Sequence, residues 1–260
     1  MFCKSRHLGK IVSSIVLLMS SGLAAAGPLS FSSGGLNGID INPIKKSYGS
    51  GYYDAAQYYG YNTPYGASAN TPDGLEQSNT ISLFLFRDGS DNLSLFQIVD
   101  KANDGSGASV QTQITSAGLA GAGLNFIVRD DPGDSSYVWN DASGSANLSQ
   151  STWPCCTDGF VLGYLPTNPL TDWSLTLNFS GVQGINAFKI YQLSQPFESG
   201  PSPITSISVS TASALNNGIT FSHMAASVPE PAALPMLLLG AIGLGRMGSR
   251  RRVASKISKS

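Results

Sequence analysis

The chain has 260 residues, of which 42% are hydrophobic and only 12% are charged, and its formal net charge is −1. The cations concentrate at the two ends, because residues 27–227 carry six Lys or Arg and fifteen Asp or Glu, a net charge of −9. This acidic central part argues against a nucleic-acid partner, since neutralising phosphates requires clustered Lys and Arg. Its length is enough for one all-β domain with a hydrophobic core or for two small domains.

The N-terminus has the three parts of a secretory signal peptide. A positively charged start, an apolar stretch from Ile11 to Met19 and an A-x-A cleavage site at Ala24–Ala26 follow one another. We therefore predict a signal peptide over residues 1–26 and a mature chain that begins at Gly27. The alternative is an uncleaved anchor, and in both cases the acidic central part is exported.

Residues 27–79 form a segment rich in Gly, Ser and Tyr, and seven of the ten tyrosines lie between Tyr48 and Tyr65. The density of Gly, Asn and Pro opposes a long helix, so we predict a loosely ordered N-terminal arm. Its tyrosines have two interpretations. They stack on sugars or on another copy, or they belong to a low-complexity loop and partly pack on the body.

From Thr80 the pattern favours strands. The runs Ile81–Phe86 and Leu93–Val99 flank turn-forming residues and predict a β-hairpin. Further strands are predicted at Ser109–Ile114, Leu124–Arg129, Tyr137–Trp139, Phe160–Tyr164, Trp173–Phe179 and Phe188–Leu193. Turn residues separate these runs, and no long amphipathic helix interrupts them. This pattern is typical of an all-β fold, a β-sandwich or jelly roll.

We place this β body at residues 80–195, and parts of residues 27–79 can also belong to it. Residues 196–227 return to Ser, Pro, Ala and Asn. They are predicted to be a spacer with weak strands at Ile204–Thr211 and Gly218–Phe221.

Acidic loops between the predicted strands are candidates for a structural calcium site. Their residues are Asp88, Asp91, Asp100, Asn103, Asp104, Asp130, Asp131 and Asp134. Calcium takes six to eight oxygen ligands from flexible loops, and three such loops at one end of a sandwich would supply them. The alternative is ordinary turn chemistry, in which Asp and Asn precede Gly.

Two adjacent cysteines, Cys155 and Cys156, remain after the signal peptide. Their Cα atoms lie about 3.8 Å apart, which is shorter than a usual disulfide allows. A vicinal disulfide, a bridge to another chain and two reduced thiols all stay open. No His lies nearby, which disfavours a zinc site.

Enzyme signals are weak. The one histidine of the predicted mature chain, His223, lies in the predicted spacer, and composition selects no carboxylate pair for glycoside hydrolysis. Trp139, Trp153 and Trp173 either line a sugar site or belong to the core. We therefore predict a protein without catalytic activity.

The C-terminal segment has three parts in a fixed order. Val228-Pro229-Glu230-Pro231 comes first, an uncharged apolar helix is predicted at about residues 234–245, and a basic cluster follows. The cluster consists of Arg246, Arg250, Arg251 and Arg252. The apolar run is shorter than the about 20 residues of a full membrane span, so a buried core helix is the alternative. The arginines favour a stop-transfer segment whose basic tail, to residue 260, stays cytoplasmic.

This tail, from Val228 to Arg252, resembles the PEP-CTERM sorting signal of exported proteins in Gram-negative bacteria. The matching residues are Pro229, Glu230 and Pro231, followed by the apolar helix and the arginines. The resemblance implies processing by an exosortase at the inner membrane and delivery to the cell surface or extracellular matrix, often together with exopolysaccharide.

From these features we expect an exported, non-enzymatic cell-surface or matrix protein. Its expected partners are an exosortase-type enzyme and the inner membrane, with extracellular polysaccharide as a further candidate. No cofactor is required by these features, and the one candidate is structural calcium. The first alternative is a calcium-assisted carbohydrate-binding module associated with exopolysaccharide. The second is a glycoside hydrolase or lyase.

Overall fold

The computed structural model describes residues 28–61, 68–130, 137–168 and 170–225. The predicted signal peptide, the Pro-Glu-Pro motif, the C-terminal helix and the basic cluster lie outside these ranges. Within them, no helix is long and apolar enough to cross a membrane.

The described residues form strands, two short α-helices and one 3₁₀ turn at Phe197–Ser199, which confirms the predicted all-β class. The strands are β1 (Leu29–Ser33), β2 (Leu36–Asp40), β3 (Ser47–Tyr48), β4 (Gly51–Tyr52), β5 (Thr80–Arg87), β6 (Leu93–Val99), β7 (Ser109–Ala117), β8 (Asn125–Arg129), β9 (Ser145–Ser151), β10 (Asp158–Leu165), β11 (Trp173–Gln183), β12 (Ala187–Leu193), β13 (Ile204–Val209) and β14 (Ile219–His223). The helices are α1 (Ala55–Tyr59) and α2 (Thr211–Asn217).

The strands assemble into two six-stranded sheets and one small hairpin. The first sheet has the order β2-β1-β14-β11-β7-β9, and the second has the order β13-β12-β5-β6-β10-β8. Neighbouring strands run antiparallel except β12 and β5, which are parallel. Inward-facing residues of both sheets, such as Leu175 of the first and Leu83 of the second, belong to one hydrophobic cluster. The two sheets therefore face each other across a common core.

The predicted hairpin is present as β5 and β6, in which Leu85 lies opposite Leu95. Both strands are buried on both faces. Leu83 and Leu85 point into the core between the sheets, whereas Phe84 and Phe86 belong to a second hydrophobic cluster on the outer face. A sheet that is apolar on both faces needs a cover on each of them.

The outer cover comes from the tyrosine-rich segment. Helix α1 starts at a capping box formed by Asp54 and Gln57, and it inserts Tyr58 and Tyr59 into the second cluster. Both tyrosines are 0% exposed, and the Tyr58 ring stacks on Phe86 with 4.5 Å between centroids. This packing corrects the prediction of a loosely ordered arm, because the helix is needed to shield the second sheet from water.

The predicted spacer is also part of the body. Strand β14 lies between β1 and β11 in the first sheet, and β13 forms the edge of the second sheet. Ile219 and Phe221 of β14 are buried in the common core. The alternation of apolar and polar residues in this short strand explains the correction, since one of its faces packs inward.

The pairing of β1 with β14 brings the two ends of the body together. Leu29 lies opposite His223, and the backbone N–H of Met224 donates to the carbonyl of Pro28 at 3.4 Å. We call this side of the molecule the terminal end. The opposite side, where β6 ends at Val99 and β10 begins at Asp158, is called the distal end.

Candidate functional site

The acidic residues predicted as calcium ligands do not come together. Strands β5 and β6 are antiparallel, so the turn with Asp88 and Asp91 lies at the terminal end, whereas Asp100 lies at the distal end. Asn103, Asp104 and Asp130 follow the distal ends of their strands, and Asp131 and Asp134 lie outside the described residues. Among the residues that the structure describes, no group of three His, Cys, Asp or Glu side chains is arranged to hold a metal ion.

Three of these residues, Asp88, Asp91 and Asp104, have contacts within or beside their turns. Asp88 accepts hydrogen bonds from the backbone N–H groups of Ser90 and Asn92 at 2.8 and 2.9 Å. Asp91 accepts one from Lys45 Nζ at 2.8 Å, and this hydrogen bond holds the pKa of Asp91 below its ordinary value. Asp104 accepts a hydrogen bond from the backbone N–H of Ser106 at 2.8 Å. These contacts agree with turn chemistry.

Three carboxylates at the distal end are buried and tie separate elements together. Asp130 accepts a hydrogen bond from the Tyr59 hydroxyl at 2.7 Å, which connects α1 to the end of β8. Asp158 accepts one from the Tyr137 hydroxyl at 3.0 Å. Asp100 accepts from the backbone of Asn79 at 2.7 Å. Asp158 is not predictable from the sequence, because a single Asp at the start of a strand carries no distinguishing pattern.

The two tyrosines of α1 both have a strongly raised pKa. Burial raises the pKa of Tyr59 well above its ordinary value, and the negative charge of Asp130 raises it further. Burial also raises the pKa of Tyr58. The negative charge of Asp73, which accepts a hydrogen bond from the Tyr58 hydroxyl at 2.9 Å, raises it further. Both hydroxyls therefore stay protonated in the folded protein and act as hydrogen-bond donors.

This shift predicts a loss of stability in alkali. A tyrosine whose pKa is higher in the folded state stabilises the fold fully below its unfolded pKa of about 10, and that stabilisation declines as the pH rises further. We expect the free energy of unfolding to fall by about 1.4 kcal/mol per pH unit for each such tyrosine above that point. Urea unfolding at a series of pH values above about 10 measures this fall in the free energy of unfolding. Tyr58→Phe should make the decline shallower, and an unchanged slope would contradict the assignment.

A small polar pocket lies at the distal end, and we call it the distal pocket. It has a volume of about 200 Å³. Its polar lining residues are Ser68, Asn70, Glu76, Lys101, Asn103 and Thr157, and Cys155 forms part of its wall. Thr157 is 0% exposed, and among the residues that the structure describes its Oγ1 has no hydrogen-bond partner. The pocket therefore offers several neutral hydrogen-bonding groups with one cation and one acid.

Cys155 is part of the pocket wall, and an exposed tryptophan, Trp153, precedes it by two residues in the chain. The sulfur atoms of Cys155 and Cys156 are bonded to each other. The backbone N–H of Cys156 donates to the carbonyl of Trp153 at 2.9 Å, closing a turn. The Trp153 side chain is 66% exposed, whereas Trp173 is buried and Trp139 is partly buried. Of the three predicted candidates, Trp153 is the one positioned to meet a ligand.

A larger cleft of about 430 Å³ lies at the terminal end. Its lining includes Lys45, Arg87, Phe197 and Glu198. The Lys45 ammonium lies 4.9 Å from the centre of the Tyr52 ring and 5.4 Å from that of Phe197, and it also pairs with Asp91. These contacts stabilise the loops around the ends of the body.

His223 has a structural position. It is 4% exposed, its ring stacks on Trp173, and its Nδ1 lies 2.8 Å from the carbonyl oxygen of Thr171. These contacts hold the end of β14 against β11.

Comparison of the chain with protein-family models, curated proteins and solved structures gave no match. Its class therefore rests on its own features. It is an all-β protein of two facing sheets, with a tyrosine-lined outer cover and a polar pocket at the end away from its termini.

Proposed function

We propose that this chain is an exported protein of the bacterial cell surface or extracellular matrix, delivered through its PEP-CTERM-like tail. The β body, a sandwich of jelly-roll type, is the part that is displayed, and it acts by binding rather than by catalysis. The observation that carries the proposal is the order of Pro229-Glu230-Pro231, an apolar run and four arginines behind an acidic body. A signal peptide at the other end supplies the route out of the cytoplasm.

The position of the ends of the body supports this arrangement. Ala225 donates its backbone N–H to the carboxylate of Asp172, so the chain is held to the first sheet up to that residue. Only Ala226, Ser227 and Val228 separate this anchor from Pro229. The sorting motif therefore follows the folded body almost directly. A tail held in the membrane brings the terminal end close to the bilayer and turns the distal end outward.

Replacing Pro229-Glu230-Pro231 with three alanines tests the proposal. Alanine removes the extended, proline-fixed backbone that a processing enzyme would recognise, while the signal peptide is untouched. We expect the variant to be exported but to remain at its unprocessed mass in the inner membrane. Intact-mass measurement of fractionated cells provides the readout.

A matched control replaces Ser258, Lys259 and Ser260 with alanines, a change of the same length beyond the basic cluster. This control should be processed like the parent. If the Pro-Glu-Pro variant has the parent's mass and reaches the parent's location, sorting through this motif is ruled out.

Polysaccharide binding is a second candidate function. It is favoured by the exposed Trp153, which follows β9 at the distal end and precedes Cys155 of the distal pocket by two residues. Calcium is not part of this proposal, because no group of three His, Cys, Asp or Glu side chains among the described residues is arranged to hold a metal ion. The hydrolase alternative has no comparable support, since the buried carboxylates of Asp100, Asp130 and Asp158 accept structural hydrogen bonds.

A further inference from the structure

We propose that the distal pocket binds one sugar ring of a polysaccharide, with Trp153 as the stacking platform and Thr157 as a buried hydrogen-bonding group. The proposal rests on the polysaccharide-binding function above and gives it a location. Three observations carry it: an unpartnered buried hydroxyl, an exposed indole and a lining with the chemistry of sugar recognition.

The hydroxyl of Thr157 is the first observation. Its backbone N–H donates to the Ser68 hydroxyl at 3.0 Å. Its side-chain Oγ1 pairs with none of the described residues, although Thr157 is 0% exposed. Leaving a buried hydroxyl unpaired destabilises a fold, so such groups are rare unless they serve a ligand or a bound water. Because Thr157 lines the pocket, a ligand there is positioned to pair with its hydroxyl.

The exposed indole of Trp153 is the second observation. Large aromatic side chains are usually buried or placed at binding sites, because their apolar area is costly to leave in water. Trp153 follows β9 and belongs to the turn closed by the Cys156 N–H, two residues before Cys155 of the pocket wall. The bond between Cys155 and Cys156 restricts the turn to which Trp153 belongs.

The lining of the pocket is the third observation, and it defines the ligand class. Asn103 contributes an amide, Lys101 an ammonium group and Glu76 a carboxylate, so donors and acceptors are mixed and the charges balance. Its volume of about 200 Å³ lies below the range of about 300–1,000 Å³ of drug-sized ligand sites. A single polyhydroxylated ring, with an apolar face for the indole, fits both properties. An extended peptide or a strongly charged ligand does not.

The test compares the mature parent protein with two variants in native gels that contain dextran, galactomannan or alginate. Retardation of the parent in at least one gel is expected. Trp153→Ala should weaken binding to that polysaccharide at least tenfold. Thr157→Val keeps the side-chain shape and removes the hydroxyl, and it should weaken binding at least fivefold while its melting temperature equals or exceeds that of the parent. A purely structural role of Thr157 would not give this combination.

Tyr48→Ala is the matched control, because it removes an exposed aromatic ring near the terminal end and should leave retardation unchanged. If the parent is retarded and either Trp153→Ala or Thr157→Val binds as well as the parent, the distal pocket is not the site, whereas polysaccharide binding itself stands. If the parent migrates equally in all gels, the polysaccharide-binding function and the site are both overturned.

Discussion

Replacing Tyr58 with alanine is expected to lower the free energy of unfolding by roughly 3–5 kcal/mol, the cost of removing a buried aromatic ring from a core. The ring is 0% exposed, stacks on Phe86 and meets the edges of Phe84 and Phe96 with centroids 6.0 Å apart. Its loss leaves a cavity under the outer cover of the second sheet, and Asp73 loses a hydrogen-bond donor. Urea unfolding measures the difference.

Tyr48→Ala serves as the comparison within the same segment. Tyr48 is 55% exposed, so we expect a change within about 0.5 kcal/mol, as is usual for surface positions. Similar small effects for both variants would mean that the tyrosine-rich segment is a surface appendage. A large effect for Tyr58 alone shows that this segment is a layer of the fold.

Ending the chain after Ser199 is expected to abolish cooperative folding. The truncation removes β14 from between β1 and β11, so two inner strands lose their hydrogen-bonding partner at once. It also removes Ile219 and Phe221 from the common core, each worth about 1.5–3 kcal/mol of burial. Together with the lost pairing, this exceeds what a domain with a net stability of about 5–15 kcal/mol tolerates.

The matched control for this experiment is a chain that ends after Ser227 and keeps β14 complete. It should melt cooperatively at the temperature of the parent, as followed by near-ultraviolet circular dichroism. A cooperative transition in the shorter chain would show that residues 200–227 act as a spacer after all, and the proposed closeness of the sorting motif to the body would then fail with it.

The sequence alone predicts the local features of this protein. Two apolar runs around a turn-forming set define the β5–β6 hairpin, because a tight turn places neighbouring strands side by side. The all-β class follows from repeated short runs of this kind. A polar strand was missed: β9, Ser-Ala-Asn-Leu-Ser-Gln-Ser, has too few apolar residues to stand out. A strand predicted at Tyr137–Trp139 is absent there.

Only the tertiary structure decides what covers the second sheet, where β14 inserts and which loops share an end. The apolar residues on both faces of β5 and β6 require two covers, but local periodicity does not say which segment supplies the second one. Residues from distant parts of the chain meet because burying their apolar surface together is favourable, and such pairing leaves no local pattern. The distal pocket is of this kind, since Ser68, Lys101 and Thr157 become neighbours only when the sheets have formed.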